Sequence, residues 1–195
     1  MVKVKMTEEK NNTAKNWNCR YQETKHDLSK PRSFLITNQS YLPDQGLALD
    51  IGMGLGYNAK ILLDHGLSVI GVDFSSIALT IAKTNFPSLQ LLLAKLPDIH
   101  FKNESFNVIL NFWFLERRLF PMIHNFMKPG GVLFFETMRS DPNIDSGDIN
   151  PDFLLRPEEL KSEFADWDIL LYDESYTTIV RNSLQPVTRM VAKRP

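Results

Sequence analysis

Apolar positions are unevenly spread along the chain, and their spacing divides it into distinct stretches. Residues 1–16 are polar and lysine-rich with no apolar period, which predicts a mobile or loosely packed leader. Between 17 and 42, Trp17, Tyr21, Phe34, Leu35, Ile36 and Tyr41 recur irregularly and predict a short helical cap. Residues 43–46 form a turn. From 47 onward the pattern becomes regular. The run 47–51 is short and apolar, as a buried strand requires, and a glycine loop follows it. A helix is predicted over 58–65, with Ala59, Leu62 and Leu63 on one face and Gly66 at its C-terminus. A strand over 68–72 precedes a helix over 75–85, with Ser75 or Ser76 as N-cap. Strands are predicted at 89–93 and 107–111. A helix over 119–127 is closed by a Lys-Pro-Gly-Gly turn at 128–131, and another strand covers 132–137. This alternation predicts an α/β fold with a parallel sheet and helices on both faces. The remainder differs. Pro157, Glu158 and Glu159 open a helix over 157–164. A strand follows at 169–172, and 176–181 and 187–192 flank a turn at 182–186. These segments predict an antiparallel hairpin closing a mostly parallel sheet.

The glycine loop carries the candidate chemistry. In LALDIGMGLGYNA, Gly52, Gly54 and Gly56 fall in the pattern G-x-G-x-G directly after a predicted strand. Glycines there let the backbone turn tightly and approach a ligand with no Cβ in the way. The following helix offers unpaired N–H groups at its start. Asp50 stands at the C-terminal end of the strand, where α/β sheets place ligands. The next strand ends at Asp73, where an acid can accept both hydroxyls of a ribose. The triplet after a strand, with an acid closing the next strand, is far more specific than the triplet alone. The structural alternative is a tight turn with an incidental acid. The dinucleotide fingerprint G-x-G-x-x-G is not met, because Tyr57 stands at its third glycine. Asp50 would repel a pyrophosphate but attract a cation. S-adenosylmethionine carries an ammonium and a sulfonium, so the departure favours it over NAD.

Composition narrows the picture further. The chain has 195 residues, 43% hydrophobic and 23% charged, which suits one globular domain with a sizeable core. A formal net charge of −1 provides no basic field for a phosphate backbone, so a nucleic-acid partner is not expected. Cys19 is the only cysteine, which excludes an internal disulfide and a zinc cluster of thiolates. His26, His65, His100 and His124 show no metal-ligand spacing, and no metal is expected. No apolar run reaches the roughly 18 residues of a membrane span, and the N-terminus lacks the apolar stretch of a secretion signal. A soluble cytoplasmic protein with no membrane partner, monomeric or homodimeric, is the expectation.

The motifs resemble those of a known superfamily. LALDIGMGLGYNAKIL resembles motif I of class I S-adenosylmethionine-dependent methyltransferases, and VIGVDFSSIALTIAK resembles their ribose-binding motif. FNVILNFWFL and MKPGGVLFFET resemble the fourth strand and the strand after the K-P-G-G turn. Similarity runs from about Pro31 to the C-terminus, implying a leader and cap over 1–30 and a methyltransferase domain over 31–195. Within the superfamily the chain is most similar to small bacterial methyltransferases related to the tellurite-resistance methyltransferase, whose final hairpin has a counterpart ending RMVAKRP. The resemblance implies a Rossmann-like sandwich with a mostly parallel seven-stranded sheet and a C-terminal antiparallel hairpin. It implies that Asp50, Ile51 and the backbone of Gly52, Met53, Gly54 and Gly56 hold the methionine end. Asp73 would bind the ribose, and Phe74 would lie against the adenine. Lys95 stands where the family has an acid that contacts the adenine amino group. Backbone groups near Ala94 and Leu96 would then serve, or Asp98 would substitute.

Asn111, Phe112 and Trp113 end the fourth strand beside the implied methyl position. The face of Phe112 or Trp113 could meet a sulfonium, with core packing as the alternative. Phe114 and Leu115 read as core. Arg117 and Arg181 are the preferred groups for an anionic acceptor, because a fork of donors suits an oxyanion. Arg181 matches an arginine of the related enzymes, but Val180 replaces the histidine beside it. Arg118 and Arg189 read as solvated. Arg20 and Tyr21 of the cap are placed to close over the cofactor. Because the sulfonium is an activated leaving group, catalysis by in-line methyl transfer needs mainly proximity, alignment and a dry site. No general base is evident, which favours a small-molecule acceptor that is a thiol or an oxyanion. The rival readings are a non-catalytic S-adenosylmethionine-binding module and an NAD-dependent oxidoreductase. The latter lacks an evident Tyr–Lys or His pair.

Overall fold

Strands β1 (Leu47–Ile51), β2 (Ser68–Asp73), β3 (Gln90–Leu93), β4 (Phe106–Phe112) and β5 (Met127–Met138) pair in parallel, and β6 (Asp168–Ile179) and β7 (Ser183–Lys193) are antiparallel. Together they form one seven-stranded sheet in the order β3-β2-β1-β4-β5-β7-β6. The computed structural model describes residues 14–23, 29–144, 149–179 and 183–195. Helices α3 (Tyr57–Asp64), α4 (Ser76–Asn85) and α5 (Leu119–Phe126) connect successive parallel strands, except between β3 and β4. Helices α1 (Ala14–Glu23) and α2 (Ser33–Thr37) precede the sheet, and α6 (Glu159–Glu163) precedes the hairpin.

The central parallel strands β1, β4 and β5 are mostly apolar because both of their faces are covered, whereas the edge strand β3 leaves Leu92 and Leu93 exposed. Leu49, Ile51, Ile109, Leu133 and Phe135 pack with Phe120, Ile123, Leu160 and Phe164 of the α5–α6 layer. Ala48, Val108, Leu110 and Phe134 pack with Leu35, Ala59, Leu62 and Ala82 of the α2–α4 layer. Ser75 caps α4 by accepting a hydrogen bond from the Ala78 N–H, a contact of about 1 kcal/mol. The chain leaves β1 toward β2 and β3, then returns to place β4 on the other side of β1. This reversal puts the topological switch point between β1 and β4, where α/β sheets open a crevice at their C-terminal ends.

The structure corrects several expected boundaries. The Lys-Pro-Gly-Gly segment is part of β5 rather than a turn before it. Gly130 adopts φ of 75°, its N–H donates to the Arg194 carbonyl, and the Arg194 N–H donates to the Gly131 carbonyl, so a kinked segment stays paired. The register jumps from Phe106 opposite Met127 to Val108 opposite Val132, which is the signature of a bulge. The segment expected as a strand at 169–172 and the described part, 176–179, of the one expected at 176–181 are one strand, with a register shift between Ile169 and Leu171. The expected turn at 182–186 is largely β7, since Leu184, Gln185 and Pro186 pair with Thr178, Thr177 and Tyr176. Pro186 lacks an N–H to donate, but its carbonyl accepts from the Arg139 N–H at 3.0 Å. Helix α6 begins after Pro157, delayed by the left-handed Glu158 with φ of 58°. Helix α1 reaches back to Ala14, into the expected leader, and the rest of that leader lies outside the described residues.

Candidate functional site

At the switch point, the glycine loop leaves β1 and enters α3. Gly52, Gly54 and Gly56 have φ of 64°, 58° and 81°, in the left-handed region that side chains disfavour. A Cβ on Gly56 would meet Leu89 Cδ1 at 3.0 Å and crowd Ala82 and Phe86, so the loop lies tight against α4. Met53 N–H bonds the Val72 carbonyl, tying the loop to β2. Asp73 completes the clamp. Its Oδ2 accepts from Gly54 N–H and its Oδ1 from Ser75 N–H, both at 2.8 Å. Each carboxylate oxygen keeps a further lone pair for a ribose hydroxyl.

Both acids at this site are almost fully buried. Burial, followed by the nearby Asp73 charge, pushes Asp50 up to about 8, while the Ala59 N–H acts in the opposite sense. Burial also raises Asp73, with the N–H groups of Ser75, Gly54 and Phe74 resisting. Asp50 Oδ2 and Asn111 Oδ1 have no hydrogen-bond partner among the described residues. Their strands are neighbours, with Ile51 opposite Asn111. Asp50 lies opposite Leu110, so the two side chains leave opposite faces of the sheet; an orphaned buried acceptor costs roughly 1–3 kcal/mol, and Asp50, on the strand that enters the glycine loop, calls for a donor there. The ammonium and sulfonium of S-adenosylmethionine fit this demand for positive charge. A pyrophosphate does not.

Beside the loop, Ala14, Asn18, Phe74, Ser76, Leu93, Ala94 and Lys95 line a cavity of about 240 Å³. It lies beyond Asp73, on the side where the sequence resemblance implies an adenine. Phe74, Ala94 and Lys95 are where the sequence reading put them. The Ala94 N–H, however, is already given to the Asp73 carbonyl, and Leu96 packs toward the core. Backbone recognition through those two residues therefore loses a donor.

Past β4, the expected roles separate. Phe112 is core, with its ring edge-on to Phe34 at 6.4 Å. Trp113 turns away from the strand at φ of 57°. Its backbone N–H and its indole both donate to Glu136, at 2.7 Å each, and Arg32 lies 4.7 Å over its ring. Phe114 packs against the core as expected, half-buried, and also lies against Gly52, with its Cβ and Cγ 3.4 Å from where a Cβ there would stand. Aromatic character alone did not distinguish these three.

Arg117 is a strut rather than a free anion fork. Nε and Nη2 donate to Glu159, and Nη1 and Nη2 also take the Asp152 and Leu154 carbonyls. Burial would raise Glu159, but Arg117 and Arg156 overcome it and hold the carboxyl at about 2. Arg181 lies outside the described residues. Instead the structure gathers Arg32 and Arg189 on Glu136, which is buried. Arg32 donates to Oε1 at 2.9 and 2.5 Å, and Arg189 Nε to Oε2 at 2.8 Å. Arg189 also reaches Asp173 and Ser175. Neither the Glu136 hub nor Arg32 was identified from the sequence. Lone charges on strand ends carry no periodic signal.

Residues 49–135 match the family model described as a methyltransferase domain. A probable S-adenosylmethionine-dependent methyltransferase of Mycolicibacterium smegmatis is 24% identical over 94 residues, covering 46% of this chain and 37% of that protein. Among solved structures, TehB from Haemophilus influenzae superposes with a TM-score of 0.72 at 18% identity, over 93% of this chain and 67% of that one. A methyltransferase from Methanosarcina mazei superposes with a TM-score of 0.65 at 16% identity, over 85% and 98%. These structural likenesses concern the fold, and it is that of the class I methyltransferases. Among the described residues, no helix is long and apolar enough to cross a membrane.

Proposed function

From the methyltransferase-domain match over residues 49–135 and the fold, we propose that this chain is a class I S-adenosylmethionine-dependent methyltransferase that transfers a methyl group to a small-molecule acceptor. The observation that carries the reading is the buried Asp50, whose Oδ2 has no hydrogen-bond partner among the described residues, on the strand that enters a glycine loop clamped by Asp73. When bound, S-adenosylmethionine supplies a methyl group already activated by its sulfonium. The chain has then to bind, orient and keep water away. Asp50 offers an acceptor to the cationic end. Asp73 offers lone pairs to the ribose while fixing the loop. Phe114 lies against the loop at Gly52.

The acceptor we favour is a thiol or a small oxyanion, as in the tellurite-resistance-like group that the sequence resembles. Glu136 supports this reading. Its carboxylate is held by two guanidiniums and an indole, so both oxygens are already taken up by donors. A nucleophile that needs no strong base suits such a site. Calorimetric titration with S-adenosylhomocysteine beside NADH tests the cofactor, and methyl transfer from labelled S-adenosylmethionine to thiols and oxyanions tests the acceptor. Micromolar binding of the first ligand alone, lost in Asp73→Ala, is expected. Binding of NADH alone would overturn the proposal, and turnover of amines but not of thiols or oxyanions would overturn the acceptor class.

A further inference from the structure

A second cavity, of about 450 Å³, lies between α2 and the closing hairpin and shares no lining residue with the one beside Asp73. Phe34 and Leu171 supply its apolar wall, and Ser33, Asn38, Asp173 and Arg189 face it with polar groups. Three of these groups are only partly used. Arg189 donates from Nε to Glu136 and from Nη1 to Asp173 and Ser175, which leaves Nη2 with no partner among the described residues. Asp173 accepts the Ser175 hydroxyl and the Arg189 N–H on Oδ2, and its Oδ1 accepts from none of the described residues. Its side chain is 44% exposed, so that oxygen is open to a ligand. Asn38 directs its amide NH2 to the Phe34 carbonyl and the Thr37 hydroxyl, and keeps Oδ1 as an acceptor.

We propose that this groove is a second ligand site, separate from the cofactor crevice, and that it takes the zwitterionic end of an α-amino acid. The charges that meet here balance, Arg32 and Arg189 against Glu136 and Asp173. A lone cation or a lone anion would upset that balance, and a zwitterion does not. The open atoms belong to one ion pair: Arg189 Nη1 and Asp173 Oδ2 are 3.0 Å apart, and the unused donor and acceptor are their neighbours Nη2 and Oδ1. An α-amino acid carries its ammonium and carboxylate on a single carbon and can lay them across such a pair. The carboxylate then accepts from Nη2, and the ammonium donates to Asp173 Oδ1 and Asn38 Oδ1. The side chain runs onto Phe34 and Leu171, where an uncharged group is required. A ligand seated there bears on Arg189 and, through Glu136, on Trp113 at the end of β4. Two molecules present this chemistry: a free amino acid, and a thiol acceptor that ends in one. Only the second rests on the methyl-transfer reading above.

The test titrates the full chain, without cofactor, with leucine, with 3-methylbutylamine, which lacks the carboxylate, and with 4-methylpentanoate, which lacks the ammonium. Backbone amide shifts report where each binds. Leucine should saturate and move amides of residues 33–38, 171–173 and 189, and each analogue should bind about tenfold more weakly or worse. Asp173→Asn should weaken leucine by a similar factor, with affinity for S-adenosylhomocysteine within about twofold of wild type. An amine that binds as well as leucine would make the groove a cation site, and a carboxylate that does so an anion site; either result overturns the inference. So does an absence of saturable leucine binding. Leucine shifts confined to the glycine loop and abolished by S-adenosylhomocysteine would put the amino acid in the cofactor crevice, overturning the inference while the cofactor reading stands. Methyl transfer to homocysteine and to propanethiol then separates the two sources. A preference for homocysteine that Asp173→Asn removes assigns the groove to the acceptor, and equal use of both thiols assigns it to a free amino acid. If the chain binds no S-adenosylhomocysteine, the cofactor reading fails and the leucine titration still decides this inference.

Discussion

Asp50 shows how one residue can oppose folding and favour binding. A free aspartate titrates near 4, yet burial and the Asp73 charge raise this one to about 8. Between those values the folded protein holds a proton that the unfolded chain has released. Stability from this group therefore falls as pH rises through that window and stays low above it. Asp50→Asn removes the dependence. Its melting temperature should gain on that of the wild type between pH 5 and 8.5, by an amount worth a few kcal/mol at most. A ligand ammonium acts in the opposite direction, because it favours the ionised carboxyl. Wild-type affinity for S-adenosylhomocysteine should climb as pH rises toward 8 and then level off, whereas Asp50→Asn should bind weakly with a flat profile. Calorimetry across that range checks both, and a flat wild-type profile would refute the role given to Asp50.

At the scale of elements, the same arginine type plays parts that sequence cannot separate. Arg117 follows β4 and grips Glu159 at the start of α6, joining the loop after the sheet to the segment before the hairpin. Its side chain is 35% exposed while that of Glu159 is 2% exposed, so solvent weakens the pair but breaking it strands a buried carboxylate. Arg117→Met should cost about 1–2 kcal/mol in chemical denaturation, with affinity for S-adenosylhomocysteine within about twofold of wild type. A large loss of methyl transfer at unchanged stability would restore Arg117 to the acceptor site. The regular elements were legible because apolar period and capping are local signals: 47–51, 68–72 and Ser75 fell where the pattern put them. The glycine loop and Asp73 were legible for the same reason, since spacing carries their geometry. The Lys-Pro-Gly-Gly segment was misread because Arg194, far along the chain, pairs with Gly130 and keeps it in the sheet. Phe112 and Trp113 differ in fate through the turn at Trp113, a backbone state that composition does not encode. Arg32 and Glu136 are separated by 104 residues, beyond any local pattern.

For the molecule as a whole, Glu136 is where three parts meet. Arg32 comes from the segment before α2, Trp113 from the end of the parallel half, and Arg189 from the closing hairpin. Taking a carboxylate out of water is costly, and only a full set of donors offsets it. Burial would lower the Arg189 guanidinium, but Glu136 and Asp173 more than reverse this and raise it. Glu136→Gln preserves shape and one acceptor while removing the charge that holds both arginines. Because Arg32 and Arg189 stay partly exposed, at 34% and 19%, the expected loss is roughly 2–4 kcal/mol rather than the full cost of a dry ion pair. A double-mutant cycle with Arg189→Met should then return a coupling of about 1 kcal/mol or more, since the residues share one network. The cofactor-binding clamp, Asp73 with Gly54 and Ser75, makes no contact with this hub. Binding of S-adenosylhomocysteine should therefore fall less than about threefold, while methyl transfer falls more than about tenfold as Trp113 loses its anchor, because small misplacement of a covering group costs rate more than ground-state affinity. A variant that loses affinity and rate together would show instead that the hub supports the cofactor crevice itself, and that the hairpin and the glycine loop are mechanically one unit.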